Sequence, residues 1–306
     1  MYIEDMNNKL LVIIVTYNAM QWIDQCLGSV LKSTMKSDIF IVDNGSSDGT
    51  QEYIKHHYSK DVLFLESKEN LGFGRANNMG LQYALDNGYD FAYLLNQDAW
   101  VFPDTFEKLI EAMLEHDDFG VVSPIQMQAN MNHFDSYFRD VISHKYNEND
   151  LIELLMFKRP QQLLEVHDVM AAHWMISRKC FSCVGGFSPS FKHYGEDNNY
   201  SSRVIFKGMK NGVLLTAFSV HDREFRKISY KRQVFMDYIK TLVVVNDLNQ
   251  NKILFVILKN IMYAIKKSLM AFSFYPLRCA IKLLFSYKEI KQNRALSKLN
   301  CAFLKK

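Results

Sequence analysis

Cysteine is scarce in this chain, and the few cysteines do not form a disulfide framework. Five occur in 306 residues, an odd number scattered along the sequence. Small secreted domains carry dense, paired cysteines, so the reducing cytosol is the simpler expectation. Cys180 and Cys183 make a lone Cys-x-x-Cys pair without a second pair at zinc-site spacing, and they are interpreted as small buried hydrophobic residues.

Long apolar runs are missing as well. The first run, residues 10–15, is short and leads into polar Thr-Tyr-Asn, so it predicts a strand and not the core of a signal peptide. Basic residues interrupt the C-terminal apolar stretches, 253–258, 260–265 and 268–277, well before the roughly 18 residues that a spanning helix needs. The sequence therefore predicts no membrane-spanning helix.

Two common phosphate-binding motifs are absent. No Gly-Lys-Ser or Gly-Lys-Thr occurs, which excludes a Walker loop. Gly72-x-Gly74 lacks the third glycine of a dinucleotide fingerprint, because Asn77 stands in its place. What remains is a glycine turn before a helix whose first turn offers Arg75 and nearby amides to a phosphate or a nucleoside. A tight strand-to-helix turn without a ligand is the alternative.

Charge is divided unevenly along the chain. Residues 227–306 carry 16 Lys and Arg against 3 Asp and Glu, whereas residues 1–226 carry 20 against 30. A basic tail with interleaved Phe, Tyr, Leu and Ile suits an anionic surface, and the lack of any nucleic-acid-reading motif favours a membrane leaflet over nucleic acid. The alternative is that the tail packs on the body or on a second copy, as in a homodimer.

Short β-branched runs alternate with amphipathic segments up to about residue 125, which predicts an α/β fold with a mostly parallel sheet flanked by helices. The polar stretch 126–167 is interpreted as an insertion or a flexible region. Beyond residue 229 the pattern is helical, so we predict one domain over residues 1–226 and a basic helical region over 227–306. The predicted strands are 10–15, 39–42, 62–65, 91–95, 120–123, 169–177 and 213–216.

Polar residues follow several of these strands, where open α/β sheets bind their ligands. Asp43 opens a turn rich in Gly, Ser and Asp and can pair with a base or a ribose hydroxyl; an ordinary turn is the alternative. Asp98 offers a carboxylate to Mg²⁺ or Mn²⁺, to which Asn96 adds a carbonyl at most, and a strand-end turn is the alternative.

Two further candidate sites lie in the second half of the chain. Glu196 and Asp197 open a predicted helix, where a carboxylate acts as a cap or as a general base. A base is needed wherever a hydroxyl attacks an anomeric carbon, because the hydroxyl loses its proton as the bond forms. His221 follows the last predicted strand and is either a metal ligand or a satisfied core histidine.

Six motifs follow one another along the chain: Val-Thr-Tyr-Asn (15–18), Val-Asp-Asn-Gly-Ser-Ser-Asp (42–48), Asn-Leu-Gly-Phe-Gly-Arg-Ala-Asn-Asn (70–78), Leu-Leu-Asn-Gln-Asp (94–98), Val-Gly-Gly-Phe (184–187) and Tyr-Gly-Glu-Asp (194–197). In this order they resemble the inverting family 2 glycosyltransferases with the GT-A fold, over about residues 8–225. The Asn-Gln-Asp form of the fourth motif looks like the branch that contains many rhamnosyltransferases.

The resemblance implies roles on the nucleotide side of a donor site. Thr16 and Asp43 would hold the nucleobase, and Arg75 and Asn78 would help to fix the nucleoside. The donor would be a nucleoside diphosphate sugar, either a UDP-sugar or a dTDP-sugar.

The resemblance also implies the catalytic and metal-binding residues. Asp98 stands at the last position of the family's Asp-x-Asp motif and would bind Mg²⁺ or Mn²⁺ on the diphosphate, with His221 as a further ligand. Asn96 replaces the first Asp of that motif, which leaves one charge fewer on the cation. Asp197 would be the catalytic base, and Glu196 beside it would orient the acceptor.

The expected setting is polysaccharide or glycolipid assembly on a saccharide or lipid-linked acceptor. With the basic tail, this predicts a cytoplasmic protein at the inner face of the membrane. Two alternatives remain at this point. A sugar-1-phosphate nucleotidyltransferase would carry a glycine-rich basic loop where this chain has Thr16-Tyr17-Asn18. A non-catalytic relative of the fold that binds a nucleotide or a lipid would have lost its use of metal.

Overall fold

The structure is a computed structural model that describes residues 8–145, 163–223 and 229–305. Strands and helices alternate through most of the first two ranges. The described strands are β1 Leu10–Thr16, β2 Asp38–Asp43, β3 Val62–Glu66, β4 Phe91–Asn96, β5 Ala99–Val101, β6 Phe119–Met127, β7 Leu163–Val166, β8 His173–Ser177 and β9 Lys210–His221.

Helices cover the sheet and form the C-terminal part of the chain. The described helices are α1 Ile23–Leu31, α2 Thr50–His57, α3 Phe73–Asp86, α4 Thr105–Glu115, α5 Ser136–Lys145, α6 Arg178–Cys183, α7 Glu196–Phe206, α8 Tyr230–Asn246, α9 Ile253–Met270, α10 Tyr275–Phe285 and α11 Tyr287–Ser297.

The described strands form a single sheet in the order β3-β2-β1-β4-β8-β6-β9-β5, and β7 also pairs with β9. The first four are parallel, β8 runs antiparallel to its neighbours, and β6 and β9 are parallel to each other. Strand β1 is apolar without alternation because both of its faces are covered, as expected for a central parallel strand. Helices α1, α2 and α4 pack on one face, and α3, α6 and α7 pack on the other. The predicted α/β class is confirmed.

The order of the strands creates a crevice at the carboxyl end of β1. The chain runs from β1 to β2 and β3 on one side of β1 and then crosses through α3 to β4 on the other side. In register, Thr16 lies opposite Asp43 on one side, and Val15 lies opposite Asn96 on the other. Loops diverge at such a switch point and leave room for a ligand.

The region between β6 and β8 differs from the prediction. The described part of 126–167 contains the end of β6, the helix α5 and the strand β7, regular structure that the sequence did not predict. Residues 146–162 lie outside the described residues. The predicted strand 169–177 begins only at His173. Pro124 lies inside β6, at a register shift with β9, where a proline is tolerated because ladder pairing is irregular.

The C-terminal helices have an apolar core of their own, to which Phe191 contributes from the sheet-bearing part. The chain then returns to that part, where the amide of Gly186 donates to the carbonyl of Ala302 at 2.7 Å. Gly185 has φ +86°, and a Cβ there would lie 2.0 Å from the Ala302 oxygen. The proposed boundary at residue 226 lies outside the described residues, and the two-part division stays a prediction.

None of the described helices combines the length and the apolarity that a bilayer crossing requires.

Candidate active site

A cleft of about 1400 Å³ opens at the carboxyl ends of β1 and β4 and is closed by the starts of α5, α7 and α8. Five of the residues singled out in the sequence line it, namely Asn96, Asp98, Glu196, Asp197 and His221. Four others are not among its lining residues, namely Thr16, Asp43, Arg75 and Asn78. The structure thus brings the predicted metal and base residues to one cleft, whereas these four predicted nucleotide residues do not line it.

Asp98 and His221 are joined at one end of the cleft. Strand β5 begins directly after Asp98 and pairs antiparallel with β9, so that Ala99 lies opposite His221. Asp98 Oδ1 consequently lies 3.4 Å from His221 Nε2. Burial alone would raise the pKa of the Asp98 carboxyl, but the hydrogen bond and the charge of His221 outweigh burial and hold that pKa below its ordinary value. Asp98 is therefore an anion at neutral pH.

A buried histidine supports the strand that carries His221. His173 on β8 contacts the Tyr93 hydroxyl at 2.9 Å through Nδ1 and the Val220 carbonyl at 3.0 Å through Nε2. The carbonyl can only accept, so Nε2 carries the proton and Nδ1 accepts from the tyrosine. Burial lowers the pKa of His173 to about 3, so this ring is neutral. Both ring nitrogens of this buried histidine are hydrogen-bonded, and one of them holds the backbone of Val220, the residue before His221.

Asp135 is a part of the site that the sequence did not reveal. It precedes α5 and accepts hydrogen bonds from the amides of Tyr137 and Phe138, which is the geometry of an N-cap. Its second oxygen lies 3.1 Å from Arg223 Nε and 3.9 Å from His221 Nδ1. The Arg223 guanidinium also stacks on Tyr137 at 4.6 Å. The sequence signal for this residue was an Asp directly before a helical segment. It lay within the stretch that was interpreted as an insertion or a flexible region.

Glu196 and Asp197 form a second acidic part of the cleft wall, at the start of α7. Gly195, with φ +84°, turns the chain into this helix. Burial raises the pKa of Glu196 to about 8, and the neighbouring Asp197 charge adds to that rise. Glu196 Oε2 has no hydrogen-bond partner within the described part of the chain. Burial also raises the pKa of Asp197, although the amide of Asn198 donates to its carboxylate at 2.9 Å.

The Asp43 carboxylate accepts hydrogen bonds mainly from the turn that follows it. Its carboxylate is buried and accepts the Thr16 hydroxyl at 2.8 Å and the Gln51 amide at 2.6 Å. The amides of Gly45 and Ser46 and the Ser46 hydroxyl complete its hydrogen bonds. Asp43 therefore shapes the loop beside β1, and direct contact with a base would displace one of these donors.

Of the α3 residues, Phe73 lines the cleft, whereas Arg75 and Asn78 do not. Both polar ends of the Asn78 side chain are bound to the backbone of Phe187, at 2.9 Å and 2.6 Å, so that α3 is fastened to the Gly185-Gly186-Phe187 segment. Arg75 is exposed on the same helix. Gln97, the middle residue of the Asn-Gln-Asp motif, received no role from the sequence; it bonds both backbone groups of Tyr17 and ties the β4 end to β1.

Comparison with known proteins decides the family. Residues 11–185, more than half of the chain, match the family model described as glycosyl transferase family 2. The chain belongs to this family. An uncharacterized glycosyltransferase of Haemophilus influenzae is 23% identical to this family 2 chain over 313 residues, which cover 94% of each protein. The undecaprenyl-phosphate mannosyltransferase of Micrococcus luteus is 30% identical over 113 residues, which cover 36% of this chain and 46% of that protein.

Solved structures show the same fold. The crystal structure of GalNAc-T7 with UDP, GalNAc and Mn²⁺ superposes with a TM-score of 0.55 at 15% identity and covers 78% of this glycosyltransferase and 51% of that chain. The predicted GT-A fold is confirmed. This family 2 chain spans only about half the length of that structure. The ligands bound there are therefore a basis for a proposal about this chain.

The donor atoms of this glycosyltransferase fit a divalent cation that is shared with its substrate. The described residues contain no set of three or more His, Cys, Asp and Glu side chains arranged around one metal. The anionic carboxylate of Asp98 and the imidazole of His221 supply one oxygen and one nitrogen donor at the cleft. Mg²⁺ sites commonly take one or two carboxylates and complete their ligands with substrate phosphate and water. The residues present therefore fit such an ion together with a diphosphate.

Proposed function

We propose that this glycosyltransferase moves a sugar from a nucleoside diphosphate donor to an acceptor hydroxyl and inverts the anomeric centre. The observation that supports this reaction is the placement of Asp98, in the turn between β4 and β5, and Asp197, at the start of α7, on the wall of one cleft. One carboxylate suits the leaving diphosphate and the other suits the attacking hydroxyl. An in-line displacement needs these two functions on opposite sides of the sugar.

Asp197 is proposed as the general base. As the acceptor oxygen bonds to the anomeric carbon, its proton passes to the Asp197 carboxylate, while the bond from that carbon to the diphosphate oxygen breaks. Burial raises the pKa of Asp197, and an ionised carboxylate with a raised pKa is a stronger base. Glu196, with a pKa of about 8, is protonated at neutral pH and can donate a hydrogen bond that orients the acceptor.

Asp98 and His221 are proposed to hold Mg²⁺ or Mn²⁺. When bound, the cation would neutralise the charge that develops on the leaving diphosphate. Asn96, beside Asp98 on the cleft wall, contributes no charge, and Arg223 lies close enough to His221, 3.3 Å from its Nδ1, to add a fixed cation at this end. The comparison structure that contains Mn²⁺ is consistent with this assignment but has only 15% identity.

The donor is proposed to be a UDP-sugar or a dTDP-sugar, with rhamnose among the sugars to test. Support comes from the UDP in the GalNAc-T7 structure. Tyr17 and Asn18 line the cleft, and Asn18 is hydrogen-bonded to Ser46 and Ser47 of the turn that Asp43 stabilises. We propose that this region receives the nucleobase. Arg75 and Asn78 remain proposed nucleoside residues; Asn78 would have to release the Phe187 backbone to reach a ligand.

The acceptor is proposed to be a saccharide on a lipid carrier, in polysaccharide or glycolipid assembly at the cytoplasmic face of the membrane. One relative is named an undecaprenyl-phosphate mannosyltransferase, and the last 80 residues of this chain are strongly basic, with 16 Lys and Arg against 3 Asp and Glu. Basic segments are attracted to anionic leaflets.

The test is turnover of a panel of nucleotide sugars by the full-length protein, with Mn²⁺ or Mg²⁺, read as release of the nucleoside diphosphate. We expect one or a few donors to turn over, and the Asp197→Asn variant to lose at least about 100-fold in rate while it still binds the donor. Asp118→Asn is the control, because Asp118 forms a surface ion pair with Lys210 away from the cleft.

Two outcomes would contradict this function. If no nucleotide sugar binds or turns over in the presence of either metal, the protein is a non-catalytic relative of the fold. If a nucleoside triphosphate and a sugar 1-phosphate release pyrophosphate instead, the nucleotidyltransferase alternative holds.

A further inference from the structure

The hairpin formed by α9 and α10 exposes an unusual amount of apolar surface. Phe272, in the turn between the two helices, is 99% exposed, Phe274 is 86% exposed, and Phe285 at the end of α10 is 84% exposed. The exposed side of α9 is itself largely apolar and consists of Leu254, Phe255, Leu258, Met262, Tyr263, Ile265, Leu269 and Met270. We call these residues, with α10, the hairpin surface. Contiguous apolar exposure on this scale marks an interaction site.

The same segment is devoid of negative charge. Between Asp247 and Glu289 the sequence contains no acidic residue and seven Lys or Arg. Lys259 and Lys266 lie exposed among the apolar residues of α9, and Arg278 and Lys282 lie exposed on α10. Amphipathic segments with large apolar residues and Lys or Arg bind in the interfacial region of anionic bilayers.

A groove on α10 has the polarity of a lipid-binding surface. It measures about 550 Å³ and is lined by Phe274, Leu277, Ile281 and Phe285 together with Arg278 and Lys282. The apolar side chains can contact an acyl chain, and the two neighbouring cations can contact the phosphate of the same lipid. The groove therefore favours phospholipid over an apolar protein partner.

Helix α8 connects the α9–α10 hairpin with the cleft. Lys267 near the end of α9 forms an ion pair with Asp237 of α8 at 2.5 Å. Phe235, two residues earlier on α8 and about 3 Å away along the helix axis, lines the cleft. Further along α8, the side chains of Ile239 and Val243 pack against Gly195, which directly precedes Glu196.

We propose that the hairpin surface docks this protein on an anionic membrane leaflet, with Phe272, Phe274 and Phe285 entering the lipid interface and the basic side chains meeting the headgroups. The inference rests on the proposed function only in that docking would bring a lipid-linked acceptor to the adjacent cleft. A second copy of the chain is the competing occupant. Self-association would place two strongly basic surfaces face to face, whereas an anionic leaflet compensates their charge.

The experiment measures partition of the full-length protein onto vesicles by co-sedimentation. Full-length protein is required because the end of the chain is bound to the catalytic part, through Ala302 and Gly186 among others, and deletion would disturb both. We expect binding to phosphatidylcholine vesicles that contain about one third phosphatidylglycerol, weak binding to pure phosphatidylcholine, and a loss of binding as salt rises from about 0.1 M to about 0.5 M.

Two sets of variants separate apolar from electrostatic contributions. Phe272→Ala with Phe274→Ala and Phe285→Ala should lower the partition coefficient at least about tenfold, because three aromatic rings no longer enter the interface. Lys259→Gln with Lys266→Gln and Arg278→Gln should weaken binding to anionic vesicles alone. The matched controls change exposed residues elsewhere, Leu31→Ala with Leu114→Ala and Phe206→Ala for the first set, and Lys32→Gln with Lys36→Gln and Lys60→Gln for the second.

The proposal is overturned if wild-type protein ignores anionic vesicles, or if the aromatic variant binds them as well as wild type does. It is also overturned if sedimentation velocity shows a dimer that the aromatic substitutions dissociate, because the surface then belongs to a second copy. Failure of the proposed function looks different, since vesicle binding would persist without any turnover of nucleotide sugar. Conversely, loss of docking alone should leave turnover with a water-soluble acceptor unchanged.

Discussion

Asp98 and His221 lie 3.4 Å apart, Oδ1 to Nε2, although they belong to distant parts of the sequence. The contact exists because the chain reverses after Asp98 and pairs as β5 with the end of β9. It places a carboxylate beside an imidazole at the cleft, and Arg223 and Asp135 lie on the other side of His221. The phosphate end of the proposed donor site depends on this pair.

Replacement of His221 by Ala should weaken metal-assisted nucleotide binding. The substitution removes the proposed second protein ligand and the group that lowers the pKa of Asp98. We expect the affinity for UDP or dTDP in the presence of Mn²⁺ to fall about 10- to 100-fold, measured by calorimetry. Without Mn²⁺ the difference should shrink, and a melting curve must show that the variant is folded. Equal affinity with and without the imidazole would refute a metal-binding role.

Asp135→Asn should separate charge from helix capping. Asn is as good an N-cap as Asp, so the hydrogen bonds from the amides of Tyr137 and Phe138 can be kept. The anion that holds Arg223 is lost, since Asp135 Oδ2 lies 3.1 Å from Arg223 Nε. We expect little change in melting temperature and about a tenfold weaker donor affinity. A large loss of stability with unchanged affinity would show that Asp135 is only a cap.

The pKa of Glu196 predicts how stability depends on pH. In the unfolded chain this carboxyl has a pKa near 4.5, and in the folded protein burial raises it to about 8. The folded state therefore binds the extra proton between these values, so this group makes the protein less stable as pH rises through the window. Above the folded pKa a buried charge lacks a partner among the described residues.

Glu196→Gln should remove that dependence, because the amide is neutral at every pH. We expect the variant and wild type to melt at similar temperatures near the lower end of the window, and the variant to be more stable by a few °C above the upper end. The measurement is thermal unfolding across this pH range. Asp197 titrates next to Glu196, so the double variant with Asp197→Asn is the control. Parallel curves for wild type and variant would contradict the raised pKa.

Gly80 allows α3 to approach the sheet. A Cβ at this position would lie 2.5 Å from Ile13 Cγ2, on a buried and β-branched neighbour that cannot move aside. Gly80→Ala should cost about 1–3 kcal/mol in the free energy of unfolding, as overpacking does. Gly28→Ala is the matched control, because a Cβ at this α1 position meets nothing within 4 Å and should stabilise the helix by up to about 1 kcal/mol. Denaturant unfolding of both variants tests the opposite signs.

Much of the fold was predictable because its signals are local. Strands β1 to β4 are short apolar runs ended by polar turns, and α1 to α4 are amphipathic. Strand β5 and α5 were missed for different reasons. A three-residue strand carries too little periodicity to detect, and α5 begins with polar residues in a stretch whose composition is typical of loops. Asp135 has the residue type of a helix N-cap, but the polar composition of the surrounding stretch favoured an interpretation without a helix.

The sequence by itself determined the family, the order of strands and helices in the parallel half, and which residue types stand at the strand ends, because motif spacing and apolar periodicity are properties of neighbouring residues. Only the tertiary structure decided that Asp98 meets His221 and that the hairpin surface stays exposed. It also decided that Asp43 accepts from backbone amides and hydroxyls, and that Asn78 donates to and accepts from the Phe187 backbone. These are outcomes of strand pairing and packing between distant segments, and they depend on geometry that no local pattern contains.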